Sequence, residues 1–176
     1  MSLLKVTNIT DTSGLGSAYA KGHVVQVVST AKTDAFSVSA GTSWSSITGL
    51  SATITPKSLN SKILVLVNAT GSSSDVGDSV GQLRQLRGST VIHVGDTASG
   101  TTSVSGSYSG RVQNANVSFT ASWSVLDSPN TTSAVVYSVE GRSPTAGTFF
   151  LNRGVFEGVV TGTRAVSSIT LMEIAQ

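Results

Sequence analysis

Apolar and polar residues alternate along most of this chain with a period of two. Gly, Pro, Asn, Asp and Ser break the alternation at short intervals. That pattern predicts strands joined by turns rather than helices. The strongest segment is Ser61-Lys-Ile-Leu-Val-Leu-Val-Asn-Ala69, with apolar side chains in unbroken succession from Ile63 to Val67. It is rich in β-branched residues and too short to span a bilayer as a helix. It therefore predicts a central strand covered on both faces and closed by Thr70 and Gly71. The preceding Leu50-Ser-Ala-Thr-Ile-Thr-Pro56 alternates and stops at a proline.

Other segments supply partners. His23 to Ser29 and Ala35 to Ser39 read as strands, and Gln82–Leu86 and Thr90–Val94 flank Arg87-Gly88-Ser89 as a hairpin. Between Asn116 and Leu126 the residues Val117, Phe119, Ala121, Trp123 and Val125 fall on one face. Ser133–Val139, Thr148–Asn152 and Ala165–Ile174 complete the set. Two stretches read as exposed loops, Gly71–Asp78 and the Ser/Thr/Gly-rich Thr97–Gly110. The expectation is an all-β fold: an antiparallel two-sheet β-sandwich, jelly-roll-like, over residues 23–176. An extended N-terminal arm occupies 1–22. The core is assigned to Ile63, Val65, Val67, Phe119, Trp123, Tyr137, Ile169 and Leu171. In the arm, Leu3, Leu4, Val6 and Ile9 are the candidate assembly contacts.

Composition sharpens this picture. The chain has 176 residues, enough for one domain with a real core. It contains no Cys, which removes disulfides and thiolate metal sites and fits folding in a reducing compartment. Only 11% of residues are charged, against about 25% in an average domain, while roughly three in ten are Ser or Thr. A surface of hydroxyls instead of Lys and Glu suits a protein whose neighbours cover much of it. The net charge is +2 and the basic residues are scattered singly. Without a basic stripe, nucleic-acid binding is not expected, and no segment is apolar enough for membrane insertion.

Candidate chemistry is sparse. His23 and His93 sit inside predicted strands among valines, with no carboxylate or nucleophile motif beside them. The nucleophile elbow, the zinc-binding His pair and the phosphate loop are all missing, and the carboxylates are too dispersed for an acid–base pair. Asp75 and Asp78 share one loop and could offer oxygens to a cation, but their spacing is not that of an EF-hand. No cofactor or metal is expected, and no enzymatic activity. Tyr108, among the hydroxyls of Thr97–Gly110, joins Asp75 and Asp78 as a candidate surface-contact residue.

Several phrases together carry a resemblance. They are Trp44 with Ile47-Thr-Gly-Leu-Ser-Ala-Thr-Ile-Thr-Pro56, Ser61-Lys-Ile-Leu-Val65, Leu126-Asp-Ser-Pro129 with Tyr137, Asn152-Arg153, and Ser168-Ile-Thr-Leu-Met-Glu-Ile174. From about Gly22 to the end, the chain resembles small virion structural proteins of tailed phages, particularly marine ones infecting cyanobacteria. The resemblance implies a β domain on the particle surface, a knob or a tail-fibre tip, and brings no catalytic residues. The front end departs from the tail-fibre pattern in showing neither a virion-anchoring domain nor a shaft. The expected protein is a capsid decoration knob docked through its arm. Its partners would be itself, as a homotrimer, and the major capsid protein or another virion protein. Its location would be the virion, assembled in the host cytoplasm. The alternative is a receptor-binding adhesin recognising a glycan or protein on the host cell surface.

Overall fold

The computed structural model describes residues 19–176, apart from 42, 75–78, 97–105, 113–117, 145–146, 157–161 and 163. Its described residues are all-β and form two antiparallel sheets. The strands are β1 (Val24–Lys32), β2 (Phe36–Ser39), β3 (Ser45–Ile54), β4 (Lys62–Ser73), β5 (Ser79–Arg87), β6 (Thr90–Ile92), β7 (Tyr108–Val112), β8 (Ser118–Asp127), β9 (Val135–Arg142), β10 (Thr148–Leu151) and β11 (Ser167–Ile174).

The first sheet runs β8–β4–β11–β1. β4 is long enough to hold two partners on one edge, β11 along Lys62–Asn68 and then β10 along Gly71–Ser73, with β2 beyond β10. The second sheet runs β3–β9–β5, and β7 and β6 share the far edge of β5. The chain crosses between sheets at β2–β3, β3–β4, β4–β5, β7–β8, β8–β9 and β9–β10. With the short β2, β6 and β10 set aside, the orders β1–β11–β4–β8 and β3–β9–β5–β7 are those of a jelly roll, two Greek keys folded together.

The core lies between the sheets. Leu50 and Ile54 of β3, Leu83 of β5 and Tyr137 and Val139 of β9 meet Ile63 and Val65 of β4, Phe149 of β10 and Ile169 and Leu171 of β11. Each such side chain contributes about 1.5–3 kcal/mol by leaving water. Period-two alternation is what allows this: in β4 the inward Ile63, Val65 and Val67 are buried, while Leu64 and Leu66 point the other way and stay partly exposed.

Polar groups clasp the layers together. At the end of β8, Asp127 accepts 2.8 and 3.0 Å hydrogen bonds from Arg87 of β5 and a 2.6 Å bond from the Tyr137 hydroxyl of β9, joining one sheet to the other. Burial and the neighbouring carboxylate hold that phenol well above its ordinary pKa. Buried Asn152, in a left-handed backbone conformation, donates to the carbonyls of Lys32 and Asp34 and accepts from Ser167. Glu173 accepts from Gln26 at 2.6 Å and from the Lys57 amide at 2.7 Å, fixing the β3–β4 loop.

Four expectations change. β4 does not close at Thr70 and Gly71 but continues to Ser73, and Gly71–Ser73 are buried strand rather than exposed loop. Gly71 is there for close approach, not for a turn: a Cβ on it would stand 2.7 Å from both Phe119 and Phe149. The hairpin at Arg87-Gly88-Ser89 forms as expected, with Gly88 at φ +56, but β6 is only three residues long. His23 and His93 both lie just outside strands and are exposed. Most consequentially, among the described residues β4 is covered on one face only.

Candidate functional site

The outward face of β8–β4–β11–β1 follows directly from register. Leu126 pairs with Leu64, Leu64 with Met172, and Met172 with Val27, so these four apolar side chains form one row across the sheet. One step along, the row is Ser124, Leu66, Thr170 and Ser29; the next is Ser122, Asn68, Ser168 and Ala31. No charged side chain stands in these rows, and Lys62 lies beyond the apolar one at the strand's end. Val27 is 54% exposed and Leu126 52%. A shallow depression of about 440 Å³ lies across the hydroxyl rows, bordered by Leu66, Asn68, Ser122, Ser124 and Ser168.

The outward face of the second sheet is built differently. The guanidinium carbons of Arg84 and Arg142 lie 4.5 and 4.7 Å from the centre of the Trp44 ring. Arg84 donates to Glu140 at 2.6 Å, and Arg142 to Gln82 at 2.6 Å. Burial, and then the Arg84 charge, lower the Arg142 pKa from its ordinary value. Over this part of the face the side chains cover one another, while Val136 further along β9 stays 44% exposed.

A hollow of about 720 Å³ opens beside Tyr19, Val25, Leu59 and Gln176 and reaches Glu173. Burial pushes the Glu173 carboxyl up, but hydrogen bonds from Ser61, Gln26 and the amides of Lys57 and Ser58 outweigh it and hold the pKa below its ordinary value. A carboxylate so engaged is an anchor, not a poised acid. Among the described residues, no three of His, Asp and Glu gather as metal ligands.

Of the residues singled out from sequence, Ile63, Val65, Val67, Tyr137, Ile169 and Leu171 are buried between the sheets, and Phe119 and Trp123 pack against them partly buried. Tyr108 is not on a contact loop. It opens β7, and its ring stacks 5.4 Å from Phe119, because pairing of β7 with β5 brings it onto the core. Asp75 and Asp78, and Leu3, Leu4, Val6 and Ile9 of the arm, lie outside the described residues. Sequence reasoning missed the open face. Its signal was the other half of the same alternation: Ser118, Thr120, Ser122, Ser124 and Leu126 between the inward residues of β8.

Among the described residues, the arrangement is a jelly-roll body with one outer face partly covered by its own side chains and one left open. No protein-family model and no curated protein matches the chain. Among solved structures, a chain from the structure of infectious bursal disease virus Gt strain is similar at 10% identity and a TM-score of 0.45, over 98% of this chain and 43% of its own length. One from the Gx strain of the same virus gives 12% identity and a TM-score of 0.36, over 99% of this chain and 47% of its own. The chain thus spans less than half the length of either, and superpositions this loose carry no functional conclusion.

Proposed function

We propose that the protein is a non-enzymatic structural component of a phage virion surface, a capsid decoration knob that works by contact. The observation that carries the reading is the open face of the first sheet, four strands wide with one shallow depression. There the described residues place no charged side chain in the rows of β8, β4, β11 and β1 and no converging acid and base. The resemblance to tailed-phage virion proteins supplies the setting. Its phrases fall on β3, on β4 and β11, on Asp127 with Tyr137, and on Asn152. These are the parts that hold a jelly roll together, so the resemblance speaks for a shared body and leaves its placement to experiment.

In this reading the arm over residues 1–22 docks the knob, and the sandwich projects. The test is immunogold labelling of intact particles combined with the copy number per particle. Label over the head at high copy number is expected. Label confined to the tail at low copy number would replace the knob by the adhesin reading, and no label on particles would remove both.

A further inference from the structure

Among the described residues, the expectation that β4 is covered on both faces holds on one side only, and the other side has an order of its own. We infer that the open face is closed by the same face of a second copy of this chain, about a twofold axis running parallel to the strands between β4 and β11. The inference rests on the reading of this face as a contact surface, not on its placement in a virion.

Register decides the geometry. A twofold so placed exchanges β8 with β1 and β4 with β11 while leaving each row opposite itself. Leu126 then faces Val27 of the other copy, and Leu64 faces Met172. In the next rows Ser124 faces Ser29, Leu66 faces Thr170, Ser122 faces Ala31 and Asn68 faces Ser168. The apolar row meets itself, and Ser124–Ser29 and Asn68–Ser168 are pairs that can both donate and accept. Leu66–Thr170 and Ser122–Ala31 set small or methyl-bearing groups against each other with no charge buried. This is the self-complementarity an isologous contact requires. A twofold across the strands would instead reverse the order of the rows and set the hydroxyl rows against Ile174 and Lys62.

Charge and area favour the same occupant. With no charge in the rows, a strongly charged partner would have to bury its ions against nothing that pairs with them. Four strands about 4.8 Å apart and about eight residues at ~3.3 Å give roughly 500 Å² on each copy, or about 1,000 Å² in total. That is about the threshold for a biological interface and falls in the range of weak, reversible contacts below about 1,200 Å². Sheets stacked face to face sit about 10 Å apart, a gap that interdigitating Leu and Met side chains fill.

The experiment uses the full chain. Sedimentation equilibrium is expected to give a two-copy mass. The Val27→Lys, Leu126→Lys double variant is expected to weaken association at least 100-fold with an unchanged circular-dichroism spectrum, since both positions are half exposed and outside the core. Because the chain has no Cys, Val27→Cys and Leu126→Cys can be made separately and treated with a short bis-maleimide. At ~10 Å the two positions are too far apart for a disulfide but suit such a linker. Mixing the two variants should yield cross-linked dimers, and either alone should not. A monomer at millimolar concentration, a three-copy mass, association untouched by the lysines, or cross-linking of one variant with itself would overturn the inference. Absence of the protein from virions would sink the virion reading and leave this contact standing.

Discussion

The two outer faces of this sandwich solve the same problem in opposite ways. A sheet in a two-layer fold buries one side in the core and must do something with the other. The second sheet covers part of its outside with Trp44, clamped by Arg84 and Arg142 and tied to Glu140 and Gln82. The first leaves its outside open among the described residues, with a row of Leu, Met and Val beside two rows of mainly Ser, Thr and Asn that also hold Leu66 and Ala31. The lesson is that amphipathic strands build a body, but what lies on the second side decides whether that body is self-sufficient. One face here contributes to stability, and the other is available for contact.

This contrast can be broken by mutation. The largest effect is expected from Trp44→Ala, which removes the aromatic ring over Arg142, a residue only 3% exposed. A loss of about 2–3 kcal/mol is expected in urea unfolding. If the midpoint does not move, the second face is not held by its own side chains.

Gly71→Ala sets the scale for the interior between the faces. Its Cβ would meet Phe119 and Phe149 at 2.7 Å, so overpacking should cost about 1–3 kcal/mol, read from the same unfolding curve.

The pH response comes next. The Glu173 pKa is lowered from 4.5 in the folded state, so its contribution to stability is present above the unfolded value and lost as pH falls through the folded one. Wild type should therefore lose stability below about pH 4.5 more steeply than Glu173→Gln, with the two curves converging in acid. Parallel curves from pH 7 to pH 2 would show that the carboxylate does not anchor the β3–β4 loop.

Leu126→Ser on the open face should do least to the isolated subunit. Its effect on monomer stability should stay within about 0.5 kcal/mol, because the side chain is already half in water. A substantially larger loss measured under dissociating conditions would mean that the face is buried within the chain.

Much of the fold was legible in the sequence, and the reason is local. Pleat geometry turns alternation into two faces, so the inward set of β8 could be read from Phe119, Ala121, Trp123 and Val125 before any strand was paired. The run Ile63–Val67 was misjudged for the same reason. An uninterrupted apolar strand says that both sides prefer to leave water, but not whether this chain or another covers the second. Tyr108 was misplaced because composition marked its surroundings as a loop, whereas pairing with β5 draws the residue into β7. Gly71 reads as a turn residue in sequence and proves to be space left for two rings.

The sequence by itself determined the all-β class, the approximate strands and most of the side chains bound for the core. Those follow from residue type and spacing within a few positions. Only the tertiary structure decided that Asp127 would find Arg87 and Tyr137, that β4 would carry two partners on one edge, and that Leu126, Leu64, Met172 and Val27 would fall in one row. Each of these joins strands distant in the chain, and register between such strands is set by the packing of the whole sheet.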